Sequence, residues 1–211
     1  MGERRTVTAV YMDVVRSSAI LAKIGEQAFN NLLDGMLDFA HPIVYRYEGT
    51  VAHIQDDELL VFFGAPVAHE DDPVRAVRAA LELLQAAHRF SNEASTQYHL
   101  AEHGLEFAVR ISLSTGPVTI GPIGADLKYA YSALGGSVNL AAQLEAAKVP
   151  MTVLISEDTY RFIVPFFDCT DLGEVSAPGM SRPAHIYRVD EPRATPGSAR
   201  GLRGLQSPMV G

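Results

Sequence analysis

The chain has 211 residues, of which 47% are hydrophobic and 20% are charged, and this composition and length predict one globular domain with a sizeable core. The 17 basic and 25 acidic residues give a net charge of −8, which argues against a nucleic-acid partner. A lone cysteine, Cys169, excludes an intramolecular disulfide and a cysteine zinc cluster. Because no apolar run reaches the length of a membrane span, we expect a cytoplasmic protein without a membrane segment.

The first predicted elements are a buried strand and a long helical segment. Over residues 6–13, β-branched and aromatic side chains run without interruption into Asp13, which is typical of a buried strand. After Ser17 the apolar residues recur at spacings of three and four, which indicates a helix. Pro42 is expected to kink or divide this helix.

A hairpin and a second long helix are expected next. Residues 50–54 and 59–63 read as two strands, and the turn between them, residues 55–58, is unusually acidic. Asp72 followed by Pro73 is typical of a helix start, with the Asp72 carboxylate as the cap and proline in the first turn.

The second half of the chain predicts a strand interrupted by glycines, a helix after a glycine pair, and a short strand over residues 151–156. Ser156 can cap the helix that follows, and two further strand-like runs lie near Phe166 and over residues 184–189. The resulting order, β-α-β-β-α-β with additions, predicts an α+β fold. Its core is a ferredoxin-like βαββαβ unit, a mostly antiparallel sheet with helices packed on it.

The domain is predicted to occupy residues 1–190. Residues 191–211 are rich in glycine and proline and have no apolar periodicity. We expect them to form a disordered tail or a linker.

Two acidic residues stand where this sheet can bring them together. Asp13 ends the first strand, and Asp57 lies at the tip of the following hairpin. In a βαββ unit the first strand lies beside that hairpin, so both carboxylates can converge on one point. Paired carboxylates suit Mg²⁺ or Mn²⁺, which also bind substrate phosphates. The alternative is that both acids are solvated at strand ends.

Four segments follow one another in the order and spacing of a known family: VTAVYMDVVRSSAI, GTVAHIQDDELLVFFGAP, RISLSTGPVTIGPIGADLKYAYSALGGSVNLAAQLEAA and LISEDTYRFI. The most specific part is T-G-x-V-x-x-G-x-I-G followed by Y-S-x-L-G-x-x-V-N-x-A-x-x-L-E. Over residues 6–189 the chain resembles the class III adenylate/guanylate cyclase catalytic domain. The acidic hairpin also resembles the G-G-D-E-F hairpin of diguanylate cyclases, but that related family lacks the V-N-x-A-x-x-L-E helix.

The resemblance implies an adenylate cyclase that forms a head-to-tail homodimer with composite sites at the interface. It implies two divalent metal ions, Mg²⁺ or Mn²⁺, and ATP as substrate, with GTP as the alternative. The ribose 3′ hydroxyl attacks the α-phosphorus and pyrophosphate leaves, giving cyclic AMP for intracellular signalling. The metal ligands carried over by motif are Asp13, Asp57 and the backbone carbonyl of Val14.

The resemblance also assigns residues around the nucleotide. Asn139 matches the asparagine that orients the ribose, and Gln143 lies one helical turn further on the same face. His53 and Ser132 stand at the positions of the base-reading pair, and Ser132 favours ATP.

The loop after the first strand is the expected phosphate site. Its residues 15–18 would offer backbone amides to the phosphates. Arg16, which replaces a family glycine, would reach a phosphate, or else face solvent at a helix start. Ser17 belongs to the same loop and is also a candidate helix cap.

Three positions depart from the family pattern by the loss of a cationic side chain. Gln143 replaces an arginine that stabilises transition-state charge, and such a loss costs on the order of 10³ in rate. His53 and Pro178 each replace a lysine.

Three hypotheses therefore stay open. The intact Asp13, Asp57 and Asn139 favour an adenylate cyclase with low activity. The departures indicate instead a degenerate domain kept for dimerisation or regulation. The third hypothesis is a heterodimer whose partner supplies the missing arginine and lysine.

Overall fold

Seven strands form one sheet in the computed structural model, which describes residues 3–120, 140, 141, 144, 149–176 and 183–193. The strands are β1 (Glu3–Val14), β2 (Thr50–Gln55), β3 (Glu58–Phe63), β4 (Val109–Ile120), β5 (Val153–Ser156), β6 (Phe167–Val175) and β7 (Ala184–Pro192). The α-helices in these residues are α1 (Ser17–Ile24), α2 (Glu26–Arg46), α3 (Asp72–Gln97) and α4 (Glu157–Ile163). The strand order is β2-β3-β1-β4-β5-β7-β6, and among these pairs only β4 with β5 is parallel. The predicted α+β fold with a mostly antiparallel sheet is confirmed.

Strand β1 lies inside the sheet, paired with β3 on one side and β4 on the other. Because side chains alternate along a strand, Val10 and Met12 face the helices, where they join the large apolar core. Ala9, Tyr11 and Asp13 point the other way, and we call that side of the sheet the second face. A smaller buried cluster covers the second face: Val7, Ala9, Tyr11, Phe62, Ala65, Val118 and Ala141.

The long helical segment is divided at Gly25, and the predicted division at Pro42 is wrong because α2 continues across it. Gly25 adopts φ 82°, which side-chain-bearing residues rarely reach, and α1 ends there. Pro42 lies inside α2 on its exposed side. Asp38, four residues earlier, is also exposed, so the backbone carbonyl that loses its helical partner can be solvated. Gly116 likewise does not interrupt β4 but pairs with Val7.

The start of α3 differs from the prediction at Asp72. The helix begins at Asp72 itself, so the N-cap is the residue before it, and no side chain caps the helix. The Asp72 carboxylate instead accepts the backbone N–H of His69 at 2.8 Å. Asp72 also pairs with Arg75, a buried guanidinium that donates to the Tyr47 carbonyl at 2.8 Å and to Glu48 at 2.9 Å. This network joins the start of α3 to the turn that follows α2.

Helix α4 begins at a serine cap, as predicted. Thr159 donates its backbone N–H to Ser156 Oγ, and the hydroxyl of Thr159 lies 3.0 Å from that of Thr115 on β4. The prediction that Ser17 also caps a helix is wrong. Helix α1 starts at Ser17, its N-cap is Arg16, and no side chain caps the helix.

The carboxyl end of β7 crosses the predicted domain boundary at residue 190. Glu191 and Pro192 pair with Asp168 and Phe167 of β6, so they belong to the sheet and not to a tail. Residues 194–211 lie outside the described part of the chain. Among the described helices, none combines the length and apolar character that crossing a bilayer requires.

The two serines give a matched test of the cap. Ser156→Ala should lower the free energy of unfolding by about 1 kcal/mol, because it removes a helix cap. Ser17→Ala should change it by less than about 0.5 kcal/mol, because no cap is lost. Urea denaturation measures both values, and equal losses would contradict the assignment.

Candidate functional site

Three charged residues stand side by side on the second face, near the carboxyl end of β1. In the antiparallel registers, Asp13 lies opposite Glu58 of β3 on one side and opposite Arg110 of β4 on the other. Directly opposed residues share a face, with Cβ atoms about 5 Å apart. The sheet therefore presents a row of acid, acid and base at one end.

Asp13 is held by Arg110 in a two-pronged ion pair. Arg110 Nε lies 3.3 Å from Asp13 Oδ1 and 3.1 Å from Oδ2, and Nη2 also donates to Oδ2. Only 5% of the Asp13 side chain and 20% of the Arg110 side chain are exposed. A buried carboxylate needs such a partner, because an unpaired charge in the interior is strongly unfavourable.

Sequence reasoning missed Arg110, although a signal was present. Arg110, Ser112 and Ser114 alternate with the apolar Val109, Ile111 and Leu113. That alternation puts the polar set on one face of β4, and pairing with β1 makes it the face of Asp13.

Asp57 lies in the two-residue turn between β2 and β3. The register pairs Asp13 with Glu58, so the turn that contains Asp57 lies next to the carboxyl end of β1. The neighbouring Asp56 takes the left-handed conformation, φ 52°, that such tight turns require. The β1–β3 register thus brings the backbone of the hairpin turn to the end of β1, and the convergence of the two carboxylates stays a prediction.

The donor set at this end of the sheet fits a hard divalent cation. Asp13 and Asp57 are carboxylate donors, and the backbone carbonyl of Val14 follows Asp13 at the end of β1. No group of three or more metal-ligating side chains occurs in the described part of the chain. Two carboxylates completed by backbone, phosphate and water oxygens are the usual arrangement for Mg²⁺.

His53 is on β2 and lies opposite Leu60, which in turn lies opposite Tyr11. These pairings place His53 on the second face, two strands from β1. The side chain is exposed, and Nε2 is 2.9 Å from Gln55 Oε1. A histidine so placed has a ring nitrogen available for a hydrogen-bonding ligand.

The loop after β1 differs in part from the expected amide cradle. Val15 donates its backbone N–H to the Ala108 carbonyl at 2.8 Å, so this amide is already engaged. Arg16 is exposed, adopts φ 57°, and lies with Nη1 3.5 Å from the Gly104 carbonyl. Its carbonyl accepts the first bonds of α1, which accounts for its place as the N-cap.

Asn139, Gln143, Ser132 and Pro178 lie outside the described residues. Nearby in sequence, Leu140, Ala141 and Leu144 are helical, and Ser112 Oγ donates to the Ala141 carbonyl at 2.6 Å. This bond places Ala141 against the second face beside β4.

A family model for the adenylate and guanylate cyclase catalytic domain matches residues 1–190. The chain belongs to this family. The crystal structure of the adenylyl cyclase CyaB from P. aeruginosa superposes with a TM-score of 0.79 and 29% identity, covering 92% of this chain and 98% of that one. The guanylate cyclase domain of RhGC from Catenaria anguillulae, solved with GTP, has a TM-score of 0.78 at 24% identity, covering 90% and 100% of the two chains, and supports the fold.

Curated relatives of this cyclase domain are longer proteins. Adenylate cyclase 1 of Rhizobium meliloti (strain 1021) is 27% identical over 188 residues, which are 88% of this chain and 28% of that protein. An uncharacterized protein of Mycobacterium tuberculosis (strain ATCC 25618 / H37Rv) is 30% identical over 164 residues, 76% of this chain and 26% of that protein. The chain thus spans little more than a quarter of these relatives.

The Asp13–Arg110 pair predicts a large coupling energy. In metal-free buffer, Arg110→Gln should lower the free energy of unfolding by about 3–5 kcal/mol, because it leaves a buried carboxylate uncompensated. Asp13→Asn combined with Arg110→Gln should recover much of this loss. Urea denaturation of the four proteins measures the coupling, and additivity within about 0.5 kcal/mol would show that the pair does not interact.

Proposed function

We propose that this cyclase domain converts ATP to cyclic AMP and pyrophosphate, with two divalent cations held by Asp13, Asp57 and the Val14 carbonyl. The observation that supports it is the β1–β3 register, which brings the hairpin acid to the strand end that carries the other acid. Family membership makes nucleotide cyclisation the reaction to test first.

Each residue has a distinct task in this proposal. When bound, the cations supply Lewis-acid stabilisation of negative charge on the phosphates. Asn139 orients the ribose so that O3′ lies in line with the α-phosphorus, and Gln143 donates its amide N–H to the α-phosphate. The bond from O3′ to phosphorus forms as the bond to the β-phosphate breaks, and the hydroxyl proton passes to solvent. His53 and Ser132 contact the purine.

The site is completed by a second copy of the chain in this proposal. One subunit supplies the carboxylates, and the other supplies Asn139, Gln143 and the base-reading pair. The guanylyl cyclase domain of the RhoGC fusion protein from Blastocladiella emersonii, which shares the fold, has been solved as a non-canonical dimer and as a monomer. ATP is preferred over GTP because Ser132 is a hydroxyl donor of the kind that adenylate-specific members carry.

A degenerate cyclase domain is the second candidate function. Gln143, His53 and Pro178 stand where the family has cationic side chains, and each loses a fixed positive charge near a triphosphate. Such a domain would dimerise without turnover, or would need a partner chain that supplies the missing cations.

The two acids of the hairpin turn give a matched test of activity. Asp57→Asn should lower Mn²⁺-dependent cyclic AMP formation at least about a hundredfold, because it removes a metal ligand. Asp56→Asn removes the same charge one residue away and should retain wild-type activity. Cyclic AMP and cyclic GMP are quantified from ATP and GTP with purified protein. Equal activities of the wild type and Asp57→Asn would contradict the proposed function.

The position of the missing arginine separates the two candidates. In an active but slow cyclase, Gln143→Arg should raise kcat by about tenfold or more, because a charged fork contacts the α-phosphate better than an amide does. Gln143→Lys, which lacks the fork, is the control and should gain less. A degenerate domain would show no turnover in any of the three proteins.

A further inference from the structure

The carboxylate of Asp13 has both of its oxygens engaged by one side chain. Arg110 Nε reaches each oxygen, at 3.3 and 3.1 Å, and Nη2 adds a third contact to Oδ2. The contact is buried, and on the other side of Asp13 the directly opposed residue is a second acid, Glu58. Arg110 therefore supplies the positive charge that lets two carboxylates stand side by side.

A divalent cation at Asp13 would need the same oxygens. Mg²⁺ binds carboxylate oxygens at about 2.0–2.1 Å in nearly ideal octahedral geometry. An ionised carboxylate has about four lone-pair sites, and at Asp13 three contacts from Arg110 already crowd them. The cation and Arg110 also repel each other. The two positive groups therefore compete for Asp13.

Arg110 lies at the edge of the β1–β4 ladder and not in its middle. Arg110 is the second residue of β4 and Asp13 the penultimate residue of β1, so the pair lies at the end of the ladder. The Arg110 side chain is 20% exposed, so part of it already contacts solvent.

We propose that Arg110 is a positioning residue that occupies Asp13 in the metal-free domain and thereby lowers the metal affinity of the site. Metal binding then requires the Arg110 side chain to release the carboxylate. This inference rests on the proposed role of Asp13 as a metal ligand. It adds that Arg110 competes with the cation for the Asp13 carboxylate.

A second arginine on the second face supplies the control. Arg188 of β7 lies opposite Leu154, which lies opposite Ser112, and it donates through Nε to Asp190 at 2.7 Å. This pair has the same chemistry but is more exposed, 43% and 32%, and is three strands from β1.

The test is Mn²⁺ binding to the nucleotide-free protein, measured by electron paramagnetic resonance of free Mn²⁺. Arg110→Gln should bind Mn²⁺ about tenfold more tightly than the wild type, since it removes a charge-assisted competitor. Arg188→Gln should bind as the wild type does. The added Mn²⁺ should also raise the melting temperature of Arg110→Gln more than that of the wild type.

Two further variants keep the test decisive. Arg110→Lys retains the charge but loses the two-pronged contact, so its Mn²⁺ affinity should lie between those of the wild type and Arg110→Gln. This variant replaces Arg110→Gln if the latter does not fold. Affinity equal to or weaker than the wild type in the folded Arg110 variant would overturn the inference. Asp13→Asn separates the two proposals: if it abolishes binding while Arg110→Gln gains nothing, only the competition fails. If Asp13→Asn binds Mn²⁺ normally, the metal role of Asp13 fails as well.

Discussion

The antiparallel register of β1 against β3 and β4 determines which charged side chains lie together at the carboxyl end of β1. With Asp13 opposite Glu58, the hairpin turn that contains Asp57 is fixed at the strand end. With Asp13 opposite Arg110, a guanidinium is fixed on the same carboxylate. A shift of one residue in either pairing would send these side chains to opposite faces. The register is itself held by the large core, because the alternate residues of β1 are buried under the helices.

The carboxyl end of β1 departs from the burial of apolar side chains that stabilises the rest of the sheet. Elsewhere β1 contributes apolar side chains to both faces, whereas here it buries a carboxylate next to another acid. Arg110 offsets that burial, and the pair is costly to break from one side only. Local conflict of this kind is expected at a functional site, where the chemistry needs charge that folding alone would not favour. The same charge arrangement that permits folding without metal also opposes metal binding.

The sequence predicted most of the elements because their signals are local. The buried strand β1, the hairpin, the long α3 and the cap at Ser156 each follow from apolar spacing or from one capping residue. The break at Gly25 was missed because Pro42 is the stronger helix breaker in general, but an exposed proline can be tolerated.

The candidate site was predictable only in part. Asp13 and Asp57 could be identified because strand ends and hairpin tips are visible in the sequence. For Arg110 the alternation along β4 indicates only a polar face, because its partner lies 97 residues away and the pairing depends on a β1–β4 register that no local pattern reveals. The engagement of the Val15 amide by Ala108 is likewise a long-range contact.

The most direct test of the account is a crystal structure of the domain with Mn²⁺ and a slowly reacting ATP analogue, recorded at the manganese edge. The account predicts anomalous peaks about 2 Å from the carboxylate oxygens of Asp13 and Asp57, with the Arg110 guanidinium displaced from Asp13. Density for Arg110 still paired with Asp13, and no manganese at either carboxylate, would contradict it.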